Sequence, residues 1–180
     1  MEGNIMNRRS FLGIALAATT APAFAAKTDP HPRLLSFHHQ HTGERLTVCY
    51  RIGDNYQRSE LQKVNHLFRD FRTDDIVPID PKLLDILYDL RRSIGNEDAV
   101  YEILSAYRSP KTNAMLRSRS RRVAKKSLHM RGQAIDIRLS NTRTRRVRDT
   151  AVALGRGGVG YYPNSNFVHL DTGTVRRWVA

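Results

Sequence analysis

The sequence carries a single cysteine, Cys49, in 180 residues. That excludes a disulfide framework and any cysteine-built zinc knuckle, so a bound metal has to be held by histidine and carboxylate. No apolar run reaches about 18 residues, which excludes a membrane-spanning enzyme apart from whatever the N-terminus does. Acidic residues are scarce, 17 against 30 Lys and Arg, giving a formal charge of +13. Aromatic residues make up only 8% of the chain, and neither of its two basic clusters is interleaved with them. Proteins that bind single-stranded nucleic acid stack bases on such rings, so nucleic acid is a poor partner for this chain. There is no His-Glu-x-x-His pattern and no internal repeat. At roughly 150 residues per domain, the length implies one globular domain plus an appendage.

The appendage is N-terminal. Arg8-Arg9-Ser10-Phe11-Leu12 is a twin-arginine motif, a weakly apolar stretch follows from Gly13 to Ala21, and Ala23-Phe24-Ala25 fits the small-x-small cleavage rule. Residues 1–25 therefore read as a twin-arginine signal peptide, 26–32 as a polar linker and 33–180 as the working domain. Cleavage removes Arg8, Arg9 and Glu2, which leaves 28 basic and 16 acidic residues, or +12. A mature protein of that charge in the periplasm, with no membrane span after processing, meets the cell wall and lipid head groups as its anionic polymers. The clusters Arg117, Arg119, Arg121, Arg122, Lys125, Lys126 and Arg143, Arg145, Arg146, Arg148 serve either as solvated faces or to steer the protein toward such a polymer.

Leu35 and Phe37 alternate before His41-Thr42-Gly43, and Leu46, Val48 and Tyr50 alternate after it, which predicts a β-hairpin. Ser59 with Gln62 forms a capping box for a helix whose buried stripe is Leu61, Val64, Leu67, Phe68 and Phe71. Asp80-Pro81 caps a second helix, with Leu83, Leu84, Leu87 and Leu90 on its inner face and Gly95 at its end. Val100–Tyr107 reads as a strand, and Ser109-Pro110 opens a short third helix. Ala134–Ile137 reads as a central strand, and Val147, Ala151 and Leu154 imply a helix stopped by Gly155. Two last strands flank the Pro163-Asn164 turn. The fold class is α+β, helices packed on a small, mostly antiparallel sheet, with the helices preceding the sheet.

His129 and Asp136 lie seven residues apart around Gly132, so a loop histidine and a strand carboxylate can converge, and His169 in a short apolar strand could be a third ligand. Two imidazoles and a carboxylate leave the fourth position of a tetrahedral zinc open for water. Each residue taken alone is as readily a satisfied core side chain. The string Ser127-Leu128-His129-Met130-Arg131-Gly132-Gln133-Ala134-Ile135-Asp136 resembles the Ser-x-His-x-x-Gly-x-Ala-x-Asp motif of the D-Ala-D-Ala-type zinc peptidases. FVHLDTG resembles their second ligand motif, and SAYRSPKTN their upstream arginine-bearing strand and turn. From HTGERL to the C-terminal RRW the chain resembles the twin-arginine-exported periplasmic murein endopeptidase branch of that superfamily.

The resemblance implies a small α+β fold, one Zn2+, and hydrolysis of amide cross-links in peptidoglycan stem peptides. A D,D-carboxypeptidase or a non-catalytic wall-binding module on the same fold are its alternatives. It implies His129, Asp136 and His169 as metal ligands, Ser127 as a residue that positions substrate or loop, and Arg108 as the holder of a substrate carboxylate or carbonyl. The chain departs from the carboxypeptidase pattern three residues before the last ligand, where the glutamate base is replaced by Asn166, and Phe167 occupies the next position. Asp171 shares a strand face with His169, so it is the candidate catalytic base or a residue orienting His169, with His41 and Glu44 as distant substitutes. His38, His39 and His41 read as a polar surface hairpin, His66 as a solvated side chain, and Trp178 as a packing anchor.

Overall fold

The computed structural model describes residues 31–120 and 123–180. The expected signal peptide and most of the expected linker lie outside the described residues. Strands β1 (Pro32–His39) and β2 (Arg45–Ile52) form the expected hairpin, and β3 (Asn55–Tyr56) extends it. Helices α1 (Arg58–Leu67) and α2 (Pro81–Ile94) come next, then β4 (Tyr101–Ser105) and α3 (Pro110–Arg119). A 3-10 turn (Leu128–Arg131), β5 (Ala134–Leu139), α4 (Thr144–Leu154), β6 (Gly158–Tyr162), β7 (Phe167–Asp171) and β8 (Arg176–Val179) complete the chain. Among the described residues, all strands join one eight-stranded sheet in the order β3-β2-β1-β4-β5-β7-β6-β8, in which β1–β4 and β6–β8 run parallel and the other pairs antiparallel. The α+β class stands, but the sheet is not small and the helices do not precede it: they are interleaved among its strands.

Alternation divides the sheet into two faces. Leu35, Phe37, Tyr101, Ile103, Ile135, Ile137, Val168, Leu170 and Val159 are buried on one face with the inner side of α2, where Leu83, Leu84, Leu87 and Leu90 are fully buried. Burying each such side chain contributes about 1.5–3 kcal/mol relative to leaving it in water. Asp80 caps α2 as expected, its side chain accepting from Lys82 N at 3.0 Å, and Gly95 ends the helix at φ 73°. The Ser59–Gln62 capping box does not form. The N-cap of α1 is Gln57, two residues before Ser59, with no side-chain cap, and the helix ends at Leu67, so Phe68 and Phe71 lie beyond it.

The surface reading of the histidine hairpin fails at His39. β1 continues to that residue, and 35, 37 and 39 share the inner face, leaving His39 1% exposed. Its Nδ1 accepts from the backbone N–H groups of His41 and Thr42, both at 3.3 Å, and its ring stands edge-on to Phe71. Burial first, with His41, Arg69 and His38 outweighing Glu44, pushes its pKa down to about 4. Between that value and the ordinary value of about 6.5, the unfolded chain binds a proton that the folded chain refuses. Stability is therefore expected to fall as pH drops through this window, by about 3 kcal/mol from His39 alone. Denaturant midpoints for the parent and His39→Asn between pH 7 and pH 4 test it: the parent should lose stability more steeply, and parallel profiles would remove His39 as the cause.

Candidate active site

Cross-strand register on the second face of the sheet aligns one row of residues. Ser105 stands opposite Asp136, Asp136 opposite His169, His169 opposite Gly160, and Gly160 opposite Trp178. The pairing of β4 with β5 shifts between Ile103 and Ser105, and that irregularity brings Ser105 opposite Asp136. A neighbouring row holds Ala134 and Asp171, with Gly158 opposite Arg176 beside them. The row on the other side pairs Phe167 with Tyr162.

His129 arrives from outside the sheet, on the 3-10 turn. Ser127 caps that turn, its hydroxyl accepting from His129 N at 3.4 Å, and Gly132 ends it at φ 65°. A Cβ on Gly132 would sit 2.5 Å from the carbonyl oxygen of Pro78, so this position takes no side chain. The Gly132 carbonyl accepts from Asp80 N, while Asp80 Oδ2 accepts from the hydroxyl of Thr172 just past β7. The cap of α2 thus ties down the turn that carries His129 and the end of the strand that carries His169.

The three predicted ligands meet. His129 Nε2 lies 3.2 Å from His169 Nδ1 and 3.3 Å from Asp136 Oδ1, and His169 Nδ1 lies 2.8 Å from Asp136 Oδ1. All three residues are buried, and they form the group that could hold a metal ion among the described residues. Atoms about 2 Å from a tetrahedral ion lie about 3.3 Å apart, close to this triangle. The tautomers also suit a metal. His129 Nδ1 is 2.6 Å from the carbonyl oxygen of Ala106, which only accepts, so its Nε2 is left as a lone-pair donor. His169 Nε2 is 2.9 Å from Asp171 Oδ2, which leaves Nδ1 facing the other two ligands.

Burial opposes charge on both histidines. It prevails at His129, whose pKa is lowered. At His169 the hydrogen bonds to Asp136 and Asp171 outweigh it and push the pKa up to about 9. Burial would raise Asp136, but His129 and His169 hold its carboxyl well below the usual carboxylate range.

A cavity of about 380 Å³ opens on this group, lined also by Arg108, Lys126, Ser127, Tyr162, Arg176 and Trp178. Arg108 leaves the end of β4 with its N–H bonded to the His129 carbonyl, and Asp70 Oδ2 holds the next N–H at Ser109. Its guanidinium is weakly engaged: Nη1 to Asn113 Oδ1 at 3.5 Å, Nη2 to Ser105 Oγ at 3.4 Å and to Asp136 Oδ2 at 3.7 Å, with Nε unpartnered.

Asp171 is 0% exposed and both oxygens are taken. Oδ1 accepts from Gly158 N, Gly173 N and Arg176 Nη1; Oδ2 accepts from His169 Nε2 and Arg176 Nη2. Asn166 sits exposed on the β6–β7 turn, bonded to the Thr144 hydroxyl. His41 stacks on Phe71, and Glu44 pairs with Arg69, so neither distant substitute lines the cavity. His66 is exposed, 3.7 Å from Glu44. Trp178 is more than an anchor, because its ring centroid lies 5.2 Å from that of His169. Tyr162, Lys126, Arg176 and Trp178 were missed as cavity residues: Lys126 lies in the turn before Ser127, Arg176 and Trp178 on a strand the sequence did not announce, and the register that aligns Trp178 with His169 was not visible.

The family model described as "Peptidoglycan L,D-endopeptidase MepK", of the peptidase M15 type, matches residues 27–178. The chain is similar to the peptidoglycan L,D-endopeptidase MepK of Escherichia coli (strain K12), 46% identical over 177 residues that cover 96% of this chain and 97% of the relative. It is similar at the same identity and coverage to the Shigella flexneri protein of that name. The probable peptidoglycan L,D-endopeptidase MepK of Haemophilus influenzae is 41% identical over 177 residues, covering 96% of this chain and 95% of the relative. With the metal-competent triad and its cavity inside the matched segment, the chain belongs to this peptidase M15 family.

Proposed function

We propose that the protein is a zinc-dependent murein endopeptidase, exported to the periplasm by the twin-arginine route, that hydrolyses L,D amide cross-links between peptidoglycan stem peptides. The observation that carries this reading is the convergence of His129 Nε2, Asp136 Oδ1 and His169 Nδ1 beside a cationic cavity, in a chain nearly half identical to full-length relatives named for that reaction. Arg8-Arg9-Ser10-Phe11-Leu12 supports the export route. Among the described residues, no helix is long and apolar enough to cross a membrane.

His129, Asp136 and His169 would hold the ion. Zinc bound there would supply Lewis-acid chemistry, polarising the scissile carbonyl and making water a better nucleophile near neutral pH. The chain supplies the rest. The Ala106 carbonyl and Asp171 each fix one imidazole so that the correct nitrogen faces the ion. Asp171 is a positioning residue rather than the catalytic base: burial would raise its pKa, but bonds from His169, Arg176 and Gly173 hold it well below the usual range, so it takes up a proton poorly. Ser127 fixes the turn that carries His129. Arg108 turns loosely held donors toward the cavity, and a planar fork suits a stem-peptide carboxylate. Lys126 adds a second positive charge on the cavity wall.

Digestion of defined muropeptide dimers with product masses tests the assignment. L,D-linked dimers should be split, chelator should stop the reaction, and zinc should restore it. Splitting of D,D-linked dimers alone, or release of terminal D-Ala only, would replace it; stoichiometric zinc without any cleavage would make the protein a wall-binding module. Arg108→Lys should retain zinc while lowering kcat/KM by about tenfold or more, because lysine keeps the charge and loses the fork. An unchanged rate would reduce Arg108 to a structural partner of Asp136.

A further inference from the structure

Tyr162 and Trp178 form a unit on the cavity wall that the metal triad does not account for. Tyr162 ends β6, and its ring stacks on that of Phe167, its cross-strand neighbour, at 4.3 Å between centroids and 12° between planes. The ring is therefore clamped. Trp178 Nε1–H donates to Tyr162 Oη at 3.1 Å. An indole N–H can only donate, so the phenol accepts there and its own O–H must point elsewhere. No acceptor among the described residues takes that proton, and the hydroxyl belongs to a residue that lines the cavity with His129, Asp136 and His169.

The placement of the indole depends on a missing side chain. Gly160 lies between His169 and Trp178 in the cross-strand row, and a Cβ on it would come within 2.4 Å of the Trp178 ring. Glycine lets the indole lie across β6, where it packs beside His169 and reaches Tyr162 Oη in one span. Arg176, whose guanidinium lies 5.2 Å from the Trp178 ring centroid, adds a cation–π contact, and its own charge is tied to Asp171. The phenol is thus preorganised from two sides, by stacking and by the indole hydrogen bond, with its donor unspent. A donor fixed before substrate arrives is the arrangement that stabilises charge developing on an oxygen during acyl transfer.

Resting on the hydrolytic reading above, we propose that Tyr162 is a catalytic residue whose O–H donates a hydrogen bond to the carbonyl oxygen of the scissile amide as negative charge builds there, and that Trp178 is the positioning residue that aims it. No proton is transferred: the tyrosine remains protonated throughout and the bond strengthens in the transition state.

The test is steady-state kinetics on an L,D-cross-linked muropeptide dimer with the full-length mature protein, alongside zinc content and thermal midpoint. Tyr162→Phe keeps the ring and its stacking on Phe167, so zinc content and midpoint should match the parent while kcat falls about 100-fold with little change in KM. Trp178→Phe should lower kcat less. The double variant should be about as slow as Tyr162→Phe alone, since the indole acts through the hydroxyl. A Tyr162→Phe variant with parental kcat would overturn the proposal, as would a fall confined to KM, which would make the phenol a ground-state binding contact. Additive losses in the double variant would overturn the role given to Trp178. A parent protein that releases no product from any dimer would overturn the hydrolytic reading itself, a failure distinct from that of Tyr162.

Discussion

His129→Ala is expected to abolish both zinc binding and cross-link hydrolysis while the domain stays folded. The imidazole is 3% exposed and supplies one of three converging ligand atoms, so its loss leaves one histidine and one carboxylate. Two protein ligands hold zinc far more weakly than three, and the metal-dependent rate should fall below detection. The turn that carries the residue does not depend on its side chain. Its backbone is held by Met130 N to Ser127 O, Arg108 N to His129 O and Asp80 N to Gly132 O, all of which survive the change. The apolar core, with the inner side of α2, lies on the other face of the sheet. The expected cost is that of a truncated buried side chain and a lost hydrogen bond to Ala106, about 2–4 kcal/mol. Metal analysis after dialysis, a muropeptide assay and a urea titration together check this. Global unfolding of the variant at neutral pH, matched by unfolding of the parent in chelator, would instead make the metal part of the fold's stability.

What the sequence made legible was local. The hairpin, the Asp80-Pro81 cap, the Gly95 stop and the Ser109-Pro110 start were readable because each depends on a few adjacent residues with fixed backbone preferences. The convergence of His129, Asp136 and His169 was legible only through motif resemblance, since nothing in spacing alone says that residues 33 positions apart, Asp136 and His169, stand opposite each other. Register stayed hidden, and most of what was missed depends on it. β8 contains two arginines in four residues, an unpromising strand by composition, yet it pairs with β6 and brings Trp178 to the site. His39 was misplaced because the alternation of Leu35 and Phe37 was stopped two residues early at a cluster of polar side chains. The capping box at Ser59 was a local pattern overridden by the chain's path out of β3, where Gln57 N bonds Tyr50 O and fixes the helix start earlier.

Asp171→Asn should act through the metal and not through proton transfer. In the parent, Oδ1 accepts three donors, from Gly158, Gly173 and Arg176, so the amide oxygen of the variant must take that place. Its NH2 then faces His169 Nε2 and Arg176 Nη2, where the carboxylate had accepted from both. Two donors cannot face each other, so the imidazole is expected to switch tautomer, with Nε2 accepting from the amide and the proton moving to Nδ1. Nδ1 is the atom that completes the ligand triangle with Asp136 and His129. A metal must displace that proton, and the predicted result is zinc affinity weaker by about 10- to 100-fold, with the rate largely recovered in excess zinc. A carboxylate acting as general base would give the other pattern, a loss of two to four orders of magnitude in turnover, about 10²–10⁴, with occupancy intact. Turnover measured against free zinc for parent and variant separates the two. Rescue by zinc assigns Asp171 to the orientation of His169; a deficit that persists at full occupancy makes it the base, despite a carboxylate already saturated by five hydrogen bonds.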